Sequence, residues 1–383
     1  MSVTIPNGFA ASGIKAGLKS SGKLDLALVQ NLGPLNAVAT VFTTNRCQAN
    51  PVLWSKQVMA DGQVSAVVLN SGGANCYTGP EGFQTTHATA EQVALGLGIS
   101  AGDVLVCSTG LIGQQLDRPK VLAGVDAAIA ALDPDGGFAA SEAIMTTDSK
   151  PKRAHATRSG WSIGGMAKGA GMLAPGLATM LVVLTTDAVV TSEQLDVALR
   201  AATRVTFDRL DSDGCMSTND TVTLLASGAS GIEPDLAEFG QALTAVCKDL
   251  AMQLLSDAEG SSHDIAIEVV GALTEDDAVE VGKSVARNNL FKAAIYGNDP
   301  NWGRILAAVG VTKAAFDPYD IDVDINGVSV SRKGQPDQSR DLVDLTPRDV
   351  HIRICLNAGS AEATVWTNDL THEYVEENSA YSS

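Results

Sequence analysis

Residues 163–185 read IGGMAKGAGMLAPGLATMLVVLT, and the fold turns on how this stretch is divided. The first part holds five glycines and one lysine, Lys168. The last part, LVVLT from residue 181, is short, apolar and β-branched, the composition of a strand buried on both faces. A glycine-rich run that cradles phosphate opens a helix and carries GxxxxGK[ST]. Here that pattern is absent and a strand follows, so the phosphate reading is the weaker one. The stretch predicts a flexible loop that feeds a core strand at an Ala178-Thr179 bond.

Outward from it, segments of different period alternate. Residues 63–70 (QVSAVVLN) and 103–107 (DVLVC) read as buried strands, with a helix over 90–98 between them. Helical spacing returns over 116–132. Thr191 with Gln194 three residues on is a capping-box pattern that starts another helix. A longer amphipathic helix is expected over 235–255, broken by SDAEGSSHD. The C-terminal third is richer in strands. Residues 265–270 form one, and 320–330 alternate around Asn326-Gly327, a strong hairpin signal. Residues 350–356 and 361–367 are expected to pair as a second hairpin across 357–360. The stretch 331–339 (SRKGQPDQS) is expected to join strands of one domain. No internal repeat is visible. The fold class is α/β or α+β, with stacked β-sheets covered by helices.

Composition narrows function. The 383 residues carry 26 Lys+Arg against 44 Asp+Glu, a formal net charge of −18. Nucleic-acid binding needs clustered cations, and the densest group is only Lys150, Lys152, Arg153 and Arg158. An acidic surface also repels anionic lipid. No apolar run reaches the ~18 residues of a membrane span. Neither a secretory signal nor paired cysteine spacing is visible among the six cysteines, so a cytoplasmic protein with reduced thiols is expected. The five histidines lie in no metal-ligand arrangement, so no metal is expected. With 45% hydrophobic but only 4% aromatic residues, the core must be built from Ala, Val, Leu and Ile.

Threonine is a weak nucleophile unless a base takes its proton, and an N-terminal threonine carries that base as its own α-amine. Cutting Ala178-Thr179 would create one. Six ordered motifs support this reading: CSTGLIG (107–113), AIMTTD (143–148), MAKGAGMLAP..ATML (166–181), DAEG (257–260), DPNWGR (299–304) and a terminal NSAYSS. Together they resemble the ornithine acetyltransferases (glutamate N-acetyltransferases) of arginine biosynthesis, over essentially the whole chain.

The resemblance implies an αββα-like sandwich and a precursor that cleaves itself into chains 1–178 and 179–383. These would be intertwined as one catalytic unit with a smaller C-terminal lobe, assembled as α2β2. It implies that Thr179 is the nucleophile, that Thr109 and Gly110 form the oxyanion hole, and that Glu259 serves as acid/base and substrate contact. Thr146, Lys168, Asn378 and Ser383 would complete substrate binding, with Thr147 replacing Thr146 if the register slips by one. Residues 298–304 stay open between shaping the site and fixing a loop: Trp302 and Pro300 can pack, and Arg304 can pair with a carboxylate. SSHD at 261–264 departs from the family's usual run and receives no role.

The implied reaction moves acetyl from N-acetyl-L-ornithine to L-glutamate, with no cofactor and with acetyl-CoA admitted as a second donor. The rivals are an N-terminal-nucleophile amidase or aminopeptidase, in which water accepts the acyl group, and a non-catalytic binding protein on the same fold.

Overall fold

The computed structural model describes residues 2–172 and 180–380. Its strands in chain order are β1 (Phe9–Ile14), β2 (Leu26–Asn31), β3 (Ala37–Phe42), β4 (Ala66–Asn70), β5 (Val104–Ser108), β6 (Lys152–Thr157), β7 (Ser162–Lys168), β8 (Leu181–Thr186), β9 (Thr221–Ala226), β10 (Asp264–Ala272), β11 (Asp322–Ile325), β12 (Val328–Arg332), β13 (Gln335–Pro336), β14 (Asp349–Cys355) and β15 (Ala361–Asn368). The α-helices are α1 (Asn50–Val58), α2 (Gly79–Leu97), α3 (Arg118–Ala130), α4 (Gly137–Ala143), α5 (Ser192–Arg204), α6 (Leu236–Ser256), α7 (Glu275–Ala286), α8 (Asn289–Tyr296), α9 (Trp302–Val309) and α10 (His372–Ala380).

The strands form three sheets, ordered β1-β2-β4-β5, β3-β9-β8-β7-β6 and β13-β12-β11-β14-β10-β15. The first two stack face to face. In β4, Val67 and Leu69 point into a cluster shared with Leu181 and Val183 of β8, while Ala66 and Val68 point outward. In β8 the alternate residues, Val182 and Leu184, also face away from that shared layer. Both faces of β4 and of β8 are therefore buried, which is why the sequence shows unbroken apolar runs there in place of alternation. Outward from the first sheet, Ala90, Val93, Val125 and Trp54 bring α2, α3 and α1 onto it. Outward from the second, Leu195, Leu199, Phe239 and Leu250 bring on α5 and α6. The layers run helix, sheet, sheet, helix, as expected. The third sheet carries its own core with α7, α8 and α9.

Several expectations hold in detail. The Thr191 capping box is formed, with Thr191 Oγ1 accepting from the Gln194 N–H and the Gln194 side chain accepting from the Thr191 N–H. Asn326 (φ 46°) and Gly327 (φ 81°) make the tight turn between β11 and β12. Residues 331–339 lie within the third sheet and contain the short strand β13, as a connection inside one domain should. Cys47, Cys76, Cys107, Cys215, Cys247 and Cys355 are all free. No helix among the described residues is long and apolar enough to cross a membrane.

Two expectations are corrected. The helix expected at 90–98 begins eleven residues earlier, at Gly79. Its early buried face is Gly82, Thr85, Thr86 and Thr89, so it shows no apolar period. The threonines satisfy themselves within the helix, each hydroxyl donating to the carbonyl four residues back. The second expected hairpin does not exist. β14 and β15 both pair with β10, parallel and antiparallel respectively, and β10 lies between them. The connection 357–360 wraps around the end of β10, with the Ala358 and Gly359 N–H groups donating to the Gly271 carbonyl.

Leu250 is fully buried beneath α6 against the second sheet. Leu250→Ala should cost roughly 2–5 kcal/mol, read as a lower urea midpoint with an unchanged slope.

Candidate active site

The glycine-rich stretch is the junction between β7 and β8. These strands are antiparallel with Lys168 opposite Leu181, so the last residue of one strand and the first of the next are neighbours in the sheet. Ala178 and Thr179, the expected cleavage pair, fall outside the described residues, as does Ser383.

Beside this junction lies a cleft of about 590 Å³. That volume suits a small ligand. Its wall includes Thr109, Gly110, Thr146, Lys168, Glu259 and Asn378, six residues expected from five separated segments. Thr147 lines it too. A second cavity of about 600 Å³, walled by Met252, Leu255, Ile265, Val350 and Trp366, is mainly apolar and contains none of them.

Thr109 and Gly110 follow directly from β5, whose parallel pairing with β4 carries on as a Thr109 N–H to Asn70 carbonyl bond of 3.0 Å. Gly110 has φ 128°, and a Cβ there would sit 2.9 Å from the Gly73 backbone. Only glycine lets these two backbones meet. Lys168 is 1% exposed and places Nζ 3.2 Å from Thr109 Oγ1. An ammonium has only donors, so Thr109 Oγ1 accepts and keeps its own proton to offer elsewhere. Burial pushes the Lys168 amine below its ordinary value, Asp148 pulls it back, and Lys152 adds to the depression.

Asp148, the last residue of AIMTTD, is the hub beneath the cleft. Its Oδ2 accepts the Thr146 N–H at 2.9 Å. Its Oδ1 accepts the Gly169 N–H at 2.7 Å and Lys152 Nζ at 2.5 Å. Burial alone would raise this carboxyl, but Lys168 and Lys152 outweigh it and hold it below the usual range. Lys152 also donates to Asp257 Oδ2 at 2.6 Å, and Ser149 donates to the other Asp257 oxygen. One chain of charges thus ties AIMTTD, the start of the glycine loop and DAEG together. Lys152, a member of the densest basic group in the sequence, has a fully buried side chain.

α6 ends at Ser256, where the sequence breaks the long helix, and Glu259 sits in the following turn with its N–H on the Ala170 carbonyl at 3.0 Å. Gly260 (φ 60°) follows, and a Cβ there would lie 2.2 Å from Tyr374 N. The DAEG glycine therefore allows α10 to rest on this turn. Thr371 Oγ1 donates to the Gly260 carbonyl at 2.6 Å, and α10 carries Asn378 to the cleft. Tyr374, on the same helix, has its hydroxyl pushed up to about 12 by burial, with Asp213 and Glu259 adding to the rise.

Lys19 also lines the cleft, although no motif or periodicity marks it. Its amine donates to the carbonyls of Leu24 (3.0 Å) and Met145 (2.6 Å). None of residues 298–304 is on the cleft wall. Trp302 opens α9 and packs on the core of the third sheet, and Arg304 donates to the Leu290 carbonyl. Among the described residues no group of three or more His, Cys, Asp or Glu could hold a metal ion.

Two sheets packed between helices, with a polar cleft where a strand-loop-strand junction meets the turn after β5, define an αββα sandwich enzyme. The chain belongs to the ArgJ family, whose sequence model matches residues 10–383. It is 64% identical over 383 residues to the arginine biosynthesis bifunctional protein ArgJ of Streptomyces avermitilis, covering 100% of both chains. Identity to the protein of the same name from Thermobifida fusca is 63%, again over 100% of both. Among solved structures, ornithine acetyltransferase complexed with ornithine from Mycobacterium tuberculosis is 52% identical, with a TM-score of 0.45. That match covers 47% of this chain and 96% of that one.

Lys152→Met strands two buried carboxylates, Asp148 and Asp257, and should destabilise the protein by roughly 3–5 kcal/mol. Adding Asp257→Asn should recover part of the loss in the same denaturation assay.

Proposed function

We propose that this protein is an acetyltransferase of arginine biosynthesis that moves acetyl from N-acetyl-L-ornithine to L-glutamate through an ester on Thr179. The convergence of six expected residues on one small cleft carries this reading. It is supported by full-length relatives that bear the arginine-biosynthesis name.

Self-cleavage at Ala178-Thr179 comes first and gives Thr179 a free α-amine. In the first half-reaction Thr179 Oγ forms a bond to the acetyl carbon while the α-amine takes the hydroxyl proton. Thr109 and the Gly110 N–H receive the oxyanion. The C–N bond breaks, the proton passes to the leaving nitrogen, and ornithine departs. In the second, the glutamate amine attacks the ester, N-acetyl-L-glutamate leaves, and the Thr179 hydroxyl is restored. Lys168 and Lys19 supply positive charge for substrate carboxylates, and Glu259 contacts the amino-acid end and serves as acid/base. Thr146, with Thr147 beside it, Asn378 and Ser383 complete the binding site.

Chains 1–178 and 179–383 act as one unit, because β3, β6 and β7 precede the cut and β8 and β9 follow it within one sheet. We place the protein in the cytoplasm as an α2β2 assembly. No resident cofactor is required, and acetyl-CoA is a second acetyl donor in this reading.

Thr179→Ala should leave one 39.5 kDa band on a denaturing gel and no transfer activity. Two bands of about half size from this variant contradict the assignment. With acetyl-ornithine and glutamate as substrates, acetyl-glutamate must form faster than free acetate, since the reverse order makes the protein an amidase. Thr109→Ala should lower kcat by about 100- to 1000-fold.

Lys19 adds a pH dependence. Burial pushes its amine down to about 8, against the pull of Asp25 and with Lys168 adding to the drop. The charge is present below that pH and lost as pH rises through it. The KM for glutamate should therefore climb above about pH 8. In Lys19→Met it should start about tenfold higher, a loss of ~1.4 kcal/mol, and lose this contribution to the pH profile.

A further inference from the structure

The segment 217–220, STND, runs into β9 and has no part in the reaction as described so far. Asn219 is buried, and its Nδ2 donates to two carbonyls, those of Ser108 and Ala74, both at 2.7 Å. Ser108 is the residue before Thr109, and Ala74 follows Gly73, the residue whose backbone Gly110 meets. The next residue, Asp220, is fully buried and accepts the Met180 N–H on Oδ1 at 3.0 Å. Met180 N is the atom bonded to the Thr179 carbonyl carbon. Backbone bonds reinforce the grip, with Thr221 N–H on the Met180 carbonyl at 3.2 Å and Thr43 N–H on the Asp220 carbonyl at 2.9 Å.

Two consecutive side chains thus hold the peptide just before the oxyanion pair and the peptide just after the nucleophile. A second feature sets Asp220 apart. Its Oδ2 is buried with no hydrogen-bond partner among the described residues. An unpaired oxygen of that kind is costly and rare in a folded interior. Burial pushes the carboxyl well above its usual range, with Met180 N–H, Ser217 and the Lys168 charge opposing it.

We infer that Asn219 and Asp220 form a clamp that fixes the separation of residue 179 from the Thr109-Gly110 turn, and so are positioning residues for self-cleavage and acetyl transfer. This rests on Thr179 being the nucleophile. Both reactions need an attacking oxygen and an oxyanion pair aimed at one carbonyl, and in both the clamp spans that gap with one backbone step.

The test uses the full chain carrying Asp220→Ala, Asp220→Asn or Asn219→Ala, with Thr179→Ala in parallel. The fraction cleaved with time is read first, then kcat and KM of the cleaved protein. Both alanine variants should slow cleavage and lower kcat by about 100-fold, the scale of a misplacement near 1 Å. KM should stay within about threefold, because substrate contacts remain. Asp220→Asn keeps an oxygen for the Met180 N–H and should recover kcat to within about tenfold of the parent. The clamp is overturned if either alanine variant cleaves and turns over at the parent rate. It is also overturned if the loss falls on KM, or if Asp220→Asn is as poor as Asp220→Ala. Should Asp220→Ala fail to fold, Asn219→Ala and Asp220→Asn decide by the same criteria. A Thr179→Ala chain that still cleaves and transfers acetyl overturns the nucleophile itself, whatever the clamp variants show.

Discussion

The antiparallel pairing of β7 with β8 is the constraint on which the site depends. With Lys168 opposite Leu181, β7 ends and β8 begins at adjacent positions of the sheet. Both strands are held in the middle of a five-stranded sheet by β6 on one side and β9 on the other. One side of the junction carries Lys168 into the cleft. The other begins at Met180, which is buried and tied to β9. The stacked sheet then places the turn after β5 against the same junction, so catalytic geometry follows from strand register.

Charge is used in the same economical way. Lys152, Asp148 and Asp257 are almost wholly removed from water, and desolvation makes such groups a poor source of stability. What they provide is a fixed relation among three distant segments, AIMTTD, the glycine loop and DAEG. Removing one partner leaves the others uncompensated, so the arrangement is intolerant of approximations. The acidic surface, at −18 overall, surrounds a cleft that holds two lysines and Glu259. The cleft thus offers groups of both signs to an amino-acid ligand.

Much of the fold was legible because its signals are local. Unbroken apolar runs such as AVVLN and LVVLTT mark strands buried on both faces, Asn326-Gly327 marks a hairpin, and Thr191 with Gln194 marks a helix start. Other features were hidden because the deciding contact is distant in sequence. The early turns of α2 bury threonines, whose self-satisfied hydroxyls leave no apolar period. β10 inserts between β14 and β15, and nothing in the 350–367 stretch announces a third strand. At the site, the family resemblance carried by the motifs named six residues that reach the cleft wall, while Lys19, Lys152 and Asn219 emerge only once the chain is folded.

The central claim is that an acetyl group rests on Thr179 between donor and acceptor. Intact-mass measurement after brief incubation with acetyl-ornithine, without glutamate, tests it most directly. The account predicts that the chain beginning at Thr179 gains one acetyl mass, that fragmentation places it on the first residue, and that added glutamate removes it as acetyl-glutamate. An acetyl group found on chain 1–178, or transfer that proceeds with no acetylated Thr179, would contradict it.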